Sequence, residues 1–223
     1  MKMFPSPNFD ARPESGVIDM LVFHYTGMSS AAAALNRLCD PASKVSAHYL
    51  IEESGRIVPL VAEQHRAWHA GVAHWRGRED VNARSIGIEL VNPGHEFGYR
   101  DFPRAQMAAL EDLALDILSR HPIPARNVVG HSDVAPRRKR DPGERFDWRG
   151  LAEKGVGLWP ENFQPEEVDG KEAARMLAQF GYETEDLAAA ATAFHRHFRP
   201  SRIEGPMDGE TTGMLRTLLA LCK

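Results

Sequence analysis

His24, His131 and Asp141 are residues of the right types to hold a metal, and each stands where the chain leaves an apolar run or enters a turn. His131 follows Asn127-Val128-Val129-Gly130, a β-prone run whose end would carry the imidazole. Asp141 precedes the turn pair Pro142-Gly143. Far upstream, Met20-Leu21-Val22-Phe23 is a second apolar strand, closed by His24. Taken singly, a His after a strand is ordinarily a hydrogen-bonded polar residue, and an Asp before Pro-Gly starts a turn. Taken together they say more, because two strands side by side in one sheet would bring both imidazoles to one edge. Two His and one carboxylate, with a position left for water, make a catalytic zinc set rather than a structural one. Lys139 lies two residues before Asp141, so in an extended loop both side chains project to one side, and the ammonium could face a developing oxyanion. The alternative for Lys139 is an ion pair with Asp141 or Glu144.

The elements that must position these residues follow from pattern. Val17–Tyr25 is apolar almost throughout, as a strand covered on both faces should be. Ser29-Ser30 caps a short helix from Ala31 that Pro41 ends. Ser46–Glu52 and Arg56–Val61, joined by a Gly-containing turn, read as a hairpin, so the sheet is mixed. Period-two alternation in Ser85–Val91 puts Ile86, Ile88 and Leu90 on one face and Ser85, Gly87 and Glu89 on the other, toward a helix-free cleft. Arg104–Arg120 carries a helical apolar stripe and stops at His121-Pro122, with His121 placed favourably against the helix dipole. Phe146–Glu153 reads as one further short helix. The fold class is α/β, a mixed central sheet flanked by helices and followed by a small three-helix domain.

Around Trp159–Asp169 the composition turns to Pro, Glu, Asn and Gln, which reads as a linker with few contacts, and three helices follow at Lys171–Phe180, Glu185–Phe198 and Gly209–Leu221. The expected division is therefore 1–160 and 161–223. Within the second of these helices, His195 and His197 read as surface residues.

With 223 residues, 43% hydrophobic and 26% charged, the chain is globular. A net charge of -4 offers no basic excess for nucleic acid. Cys39 and Cys222 belong to no Cys-x-x-Cys pair, so neither a disulfide framework nor a thiolate metal site is supported. No run approaches the ~18 apolar residues of a membrane span. Residues 1–8 carry no apolar leader, which sets the expectation of a cytoplasmic protein, or a periplasmic or wall-associated one if a leader had been removed. Oligomeric state is not set by these features.

Six ordered blocks carry a resemblance. They are Pro5–Phe9, Val22–Thr26, Val45–Ile51, Ala67–Gly71, Asn82–Leu90 and Gly130–Gly143, and together they cover roughly the first 150 residues. The chain resembles the zinc-dependent N-acetylmuramoyl-L-alanine amidases of the type-2 amidase family, which cut the amide between the lactyl group of muramic acid and the first L-alanine of the peptide stem. Arg137 is one departure, since the family loop commonly has Gly there. The resemblance implies a bound zinc, with Glu89 as the base that takes the proton from water and returns it to the leaving amine. A Glu in such a strand is otherwise a salt-bridge partner. For substrate contacts it points to His48, Tyr49, Trp68, His69, Ala70, Gly71 and Asn82; Arg78 and Arg84 read either as anchors for stem carboxylates or as plain surface charge. The last three helices resemble a peptidoglycan-binding module, with Phe194–Phe198 and Asp208–Thr212 as its matching segments.

The implied function is a zinc amidase acting on peptidoglycan or a soluble muropeptide, its C-terminal helices anchoring or positioning substrate rather than only covering the catalytic part. Two other classes compete. A non-catalytic peptidoglycan recognition protein on the same fold would lack a complete metal set, and a zinc peptidase cutting within the stem would release fragments of different mass.

Overall fold

The computed structural model describes residues 4–14 and 16–222. Among these residues the strands are β1 Phe9–Ala11, β2 Met20–Tyr25, β3 Tyr49–Ile51, β4 Ile57–Pro59, β5 His65–Ala67, β6 Ser85–Leu90 and β7 Val128–Gly130. The helices are α1 Ala31–Cys39, α2 Val81–Arg84, α3 Gly94–Phe97, α4 Arg104–Arg120, α5 His131–Val134, α6 Trp148–Glu153, α7 Gly170–Phe180, α8 Leu187–Phe198 and α9 Gly209–Leu221. Five strands form the central sheet in the order β4-β3-β6-β2-β7, parallel except for the β3–β4 hairpin. β1 and β5 make a separate antiparallel pair, so the Pro-rich start of the chain is partly strand.

Register alone aligns the chemistry. β2 lies between β6 and β7, with His24 opposite Glu89 and Phe23 opposite Gly130. His24, Glu89 and the residue after β7, His131, therefore emerge at the same carboxyl edge, where open α/β sheets place their ligands. The expected strand at Val17 begins only at Met20, because its partner β6 begins at Ser85; ahead of it Asp19 ties to Arg84 through backbone and side chain. α4 spans the residues expected of it.

Alternation on β2 and β7 divides the core. Leu21, Phe23, Val128, Ile86 and Ile88 pack with Leu110, Leu113, Ala114 and Ile117 of α4. Met20, Val22 and Val129 point the other way, into a cluster with Trp75, Met176, Leu177, Phe180, Phe194, Phe198, Leu215 and Leu218. The C-terminal helices thus cover the second face of the sheet, the face from which His24 projects. Trp159, Phe163 and Val168 pack against the same cluster, so the stretch expected to be a sparsely bonded linker is tied down by its apolar side chains. Asp169, Asp186 and Asp208 cap α7, α8 and α9 by accepting backbone N–H groups.

His195 and His197 are buried, correcting the expectation that they are surface residues of their helix. α8 is enclosed on nearly all sides, and polar residues in an enclosed helix find partners instead of water. His195 bonds Thr211 Oγ1 at 3.0 Å and the Ile203 carbonyl at 3.1 Å. His197 stacks on Trp148 at 3.7 Å between centroids.

A shared core predicts shared unfolding. Phe194→Ala, deep in that cluster, should lower stability by about 3–5 kcal/mol, and the loss should register in one transition read both by helical circular dichroism and by tryptophan fluorescence. Two separated transitions, with the tryptophans of the sheet region unaffected, would show that the C-terminal helices stand energetically apart.

Candidate metal centre and catalytic cleft

Three donor atoms meet at the sheet edge. His24 Nδ1, His131 Nδ1 and Asp141 Oδ2 are mutually 3.0 Å apart, and all three residues are buried. Asp141 arrives there because the Ser132 N–H donates to its carbonyl at 2.8 Å, folding the 131–141 loop back on the strand end. Gly130 permits the closure: a Cβ there would lie 2.7 Å from Pro142 Cδ.

Neighbouring groups set the tautomers. His131 Nε2–H donates to the Ala70 carbonyl at 2.9 Å, which leaves its Nδ1 lone pair bare. Ser85 Oγ–H donates to the Val81 carbonyl at 2.7 Å, so Ser85 Oγ accepts from His69 Nε2–H at 3.0 Å. His69 Nδ1 then accepts from His24 Nε2–H at 3.0 Å, and His24 Nδ1 is bare as well. Each ligand is thus oriented by a partner behind it, the arrangement that fixes metal-binding imidazoles. Gly87 is part of the same support, because a Cβ on it would come within 2.4 Å of the His69 ring.

Two bare imidazole nitrogens and a carboxylate oxygen converging in a buried place call for a cation. Ligand atoms around a tetrahedral zinc at ~2.0–2.1 Å stand ~3.3 Å apart, close to the spacing found, so this donor set fits zinc with one position open to the cleft. Burial, followed by the neighbouring His131, holds the His24 pKa down to about 4, in its metal-binding neutral form. Burial alone would raise Asp141, but the neighbouring His131 and His24 outweigh it and keep the carboxyl well below its usual range.

A cleft of about 640 Å³ opens over these atoms, lined by His131, Asp141, Glu89, Trp68, His69 and Lys139 among others. Glu89 faces it, yet its Oε2 is buried without a hydrogen-bond partner. Burial, reinforced by the Asp141 charge, pushes Glu89 up to about 8. A carboxyl so placed exchanges its proton near neutral pH, and a cation beside it would favour the ionised form. Lys139 lines the cleft without an ion pair to Asp141 or Glu144 among the described residues; Glu144 is bonded instead to His95 at 3.1 Å.

The residues expected to touch substrate separate into two groups. Trp68 and His69 line the cleft, and Gly71 lines an adjoining depression with Val72 and Arg138. His48, Tyr49, Ala70 and Asn82 do not line it. His48 is buried and accepts the Gly87 N–H at 3.0 Å, while Tyr49 donates to Glu63 at 2.6 Å. Asn82 Oδ1 accepts the N–H groups of His69 and Ala70 at 3.1 and 2.8 Å, clamping the segment that supports both imidazoles. Arg84 is buried against Asp19, and Arg78 is exposed near the same carboxylate, so neither reaches the cleft. Arg137 takes an ordinary backbone conformation and pairs with Glu183 and Glu185.

One supporting network was missed by sequence reasoning. Asp133 accepts from the Gly130 N–H at 2.7 Å, from Tyr182 Oη–H at 2.7 Å and from His197 Nδ1 at 2.8 Å. This locks the turn that begins His131 to the C-terminal helices. An acidic residue three positions after a strand end is a legible capping signal, but nothing in the sequence pairs it with Tyr182 or His197.

The family model for N-acetylmuramoyl-L-alanine amidase, Amidase_2, matches residues 14–144, a stretch that holds His24, Glu89, His131, Lys139 and Asp141. The chain is 38% identical to N-acetylmuramoyl-L-alanine amidase AmiD of Escherichia coli, across 91% of this chain and 82% of that protein. It is 37% identical to 1,6-anhydro-N-acetylmuramyl-L-alanine amidase AmpD of Haemophilus influenzae, across 66% of this chain and 88% of that one. The structure of AmiD in complex with the substrate anhydro-N-acetylmuramic acid-L-Ala-D-γ-Glu-L-Lys superposes with a TM-score of 0.84 at 36% identity, covering 94% of this chain and 92% of that chain. AmpDh3 of Pseudomonas aeruginosa superposes with a TM-score of 0.83 at 33% identity, covering 99% of both chains. The family model takes in more than half of the 223 residues and the likeness to AmiD runs through most of both proteins, so the chain belongs to the N-acetylmuramoyl-L-alanine amidase family, Amidase_2.

Proposed function

We propose that His24, His131 and Asp141 hold one zinc ion and that Glu89 and Lys139 act with it on the amide between muramic or anhydromuramic acid and L-alanine. The chain is an N-acetylmuramoyl-L-alanine amidase acting on peptidoglycan or muropeptides. The observation that carries the catalytic reading is the meeting of three donor atoms beneath a cleft into which Glu89 also opens. A recognition protein without catalysis has no use for that complete set. The AmiD and AmpDh3 structures, described with anhydromuramic peptides, support a soluble anhydro-muropeptide among the substrates.

When bound, zinc supplies Lewis acidity that makes water nucleophilic near neutral pH and polarises the scissile carbonyl. Glu89 accepts the proton of the attacking water on its unpartnered oxygen and returns it to the departing amine of L-alanine, which prevents the amine from leaving as an anion. The Lys139 ammonium faces the carbonyl oxygen as negative charge develops on it. Trp68 and His69 form the wall against which the sugar and first peptide residues lie. His48, Tyr49, Ala70, Gly71 and Asn82 shape that wall from behind or beside it. Residues 1–160 carry this chemistry, and 161–223 form a three-helix peptidoglycan-binding-like unit seated on the sheet.

Metal content separates ligand from support. His131→Ala protein should retain little zinc, and full retention would sink the ligand set. His69→Ala, which removes the acceptor behind His24, should bind zinc ~10–100-fold more weakly; an unchanged zinc affinity in a competition titration would assign His69 to the substrate wall alone.

Turnover tests the other two residues. Glu89→Gln should keep its zinc and its fold while amidase turnover, followed by mass spectrometry of released peptide, falls on the order of 10²–10⁴-fold. Lys139→Ala should lose on the order of 10²-fold with zinc content unchanged. Near-normal rates in folded Glu89→Gln would remove it from the mechanism, and zinc loss in Lys139→Ala would make that residue structural.

A further inference from the structure

A second cleft, about 730 Å³, runs between the metal loop and α8. It shares His95, Arg138, Lys139 and Arg140 with the catalytic cleft, so the two communicate around a single stretch of loop. Its far wall is made by α8 and the loop that follows it, including Arg196, Ser201 and Glu204. Arg196 is the unusual member. It is only 9% exposed, its Nε is buried with no hydrogen-bond partner, and its nearest carboxylate oxygen, on Glu144, stands 3.5 Å away. Buried guanidinium groups without hydrogen bonds are costly, and they are kept where a ligand completes them.

The charge balance of the cleft says what that ligand is. Arg137 is paired with Glu183 and Glu185, and Arg138 is bonded to the carbonyls of Ala70 and Val72. Glu144 is shared with His95. Among the described residues, Lys139 and Arg140 line the cleft without an ion pair and Arg196 meets only Glu144, at 3.5 Å, so three cations face two acidic side chains, Glu144, already shared with His95, and Glu204 on the opposite rim. Such a surface selects an anion, and a planar guanidinium selects a carboxylate in particular.

We propose that this cleft is a carboxylate subsite, built jointly by the metal loop and α8, that takes the free carboxylate at the end of a stem peptide. The proposal rests on the amidase reading above and deepens it. The ligand described with AmiD, anhydro-N-acetylmuramic acid-L-Ala-D-γ-Glu-L-Lys, shows why the peptide side is the match. Its anhydro sugar is neutral. A γ-linked glutamate leaves its α-carboxylate free, the last residue has a terminal carboxylate, and the ammonium of its side chain suits Glu204. With the scissile amide over His24, His131 and Asp141, three residues of extended peptide reach ~10 Å, and the path from one cleft to the other passes only the Arg138–Arg140 segment. The carboxylate has two sources, the far end of the stem being cut or a neighbouring stem joined to it.

The test uses the zinc-loaded full chain and two soluble substrates that differ only at the peptide end, anhydro-muramoyl tripeptide with a free terminal carboxylate and the same compound as its carboxamide. The wild-type protein should favour the carboxylate on the order of 10-fold in kcat/KM, through KM, and Arg196→Gln should bring the ratio near one. Arg196→Lys should restore part of it. A fold defect would lower both rates and keep the ratio, so an unchanged ratio in Arg196→Gln overturns the subsite. Should Arg196→Gln fail to fold, Arg140→Ala, at an exposed position, must shrink the ratio, and a wild-type ratio of one on both the tripeptide and a peptide-crosslinked dimer overturns the proposal without any variant. A preference for the free carboxylate seen on a peptide-crosslinked dimer but absent from the monomeric tripeptide supports the subsite and assigns it to the neighbouring stem. No turnover of either substrate by wild-type protein would instead refute the amidase reading itself.

Discussion

Two imidazole nitrogens and a carboxylate oxygen held 3.0 Å apart inside the protein are a repulsive arrangement of lone pairs unless a cation sits among them. Much of the surrounding structure answers that constraint. The register of β2 between β6 and β7 brings His24 and His131 to one edge, the Ser132–Asp141 backbone bond closes the loop, and Gly130 removes the atom that would hold Pro142 off. Behind the donors, Ala70 and the His69–Ser85–Val81 chain consume the outer ring nitrogens, so the inner ones face the metal position in one tautomer.

The same constraint explains why residues that look like a substrate wall are mostly scaffold. His69, Ala70 and Asn82 form one segment whose backbone and ring hold both imidazoles, and Gly87 is open on the one side where His69 must lie. Only Trp68 and His69 of that group also present a surface to the cleft. Glu89 differs from them in lacking a partner on Oε2, and an unsatisfied buried carboxyl oxygen beside a cation site is costly unless the chemistry uses it.

The C-terminal helices take part in this support. They bury the face of the sheet that carries Met20, Val22 and Val129, and through Tyr182 and His197 they bind Asp133, two residues beyond His131. Arg137 pairs with Glu183 and Glu185 on the same side. The C-terminal part thus holds the turn that begins with His131, since Tyr182, between α7 and α8, and His197 of α8 both bond Asp133 within it.

Much of this was legible in the residues themselves. The three donors could be named because each stands at a strand end or turn, the face of β6 bearing Glu89 followed from period-two alternation, and α4 had an unbroken apolar stripe. These are local signals, set by backbone periodicity and turn chemistry within a few residues. What only the tertiary structure decided were pairings across long separations: His69 behind His24, Tyr182 and His197 on Asp133, and Arg196 beside Glu144, its Nε without a hydrogen bond, at a cleft shared by two parts of the chain. His195 and His197 read as surface residues because an isolated helix shows its polar positions to water, and they are buried because α8 is enclosed by the sheet region and its neighbouring helices. The Pro- and Glu-rich stretch before α7 read as a free linker for a similar reason. Its composition is polar on average, but three apolar side chains within it, Trp159, Phe163 and Val168, meet a core that assembles only when residues far apart in the chain come together.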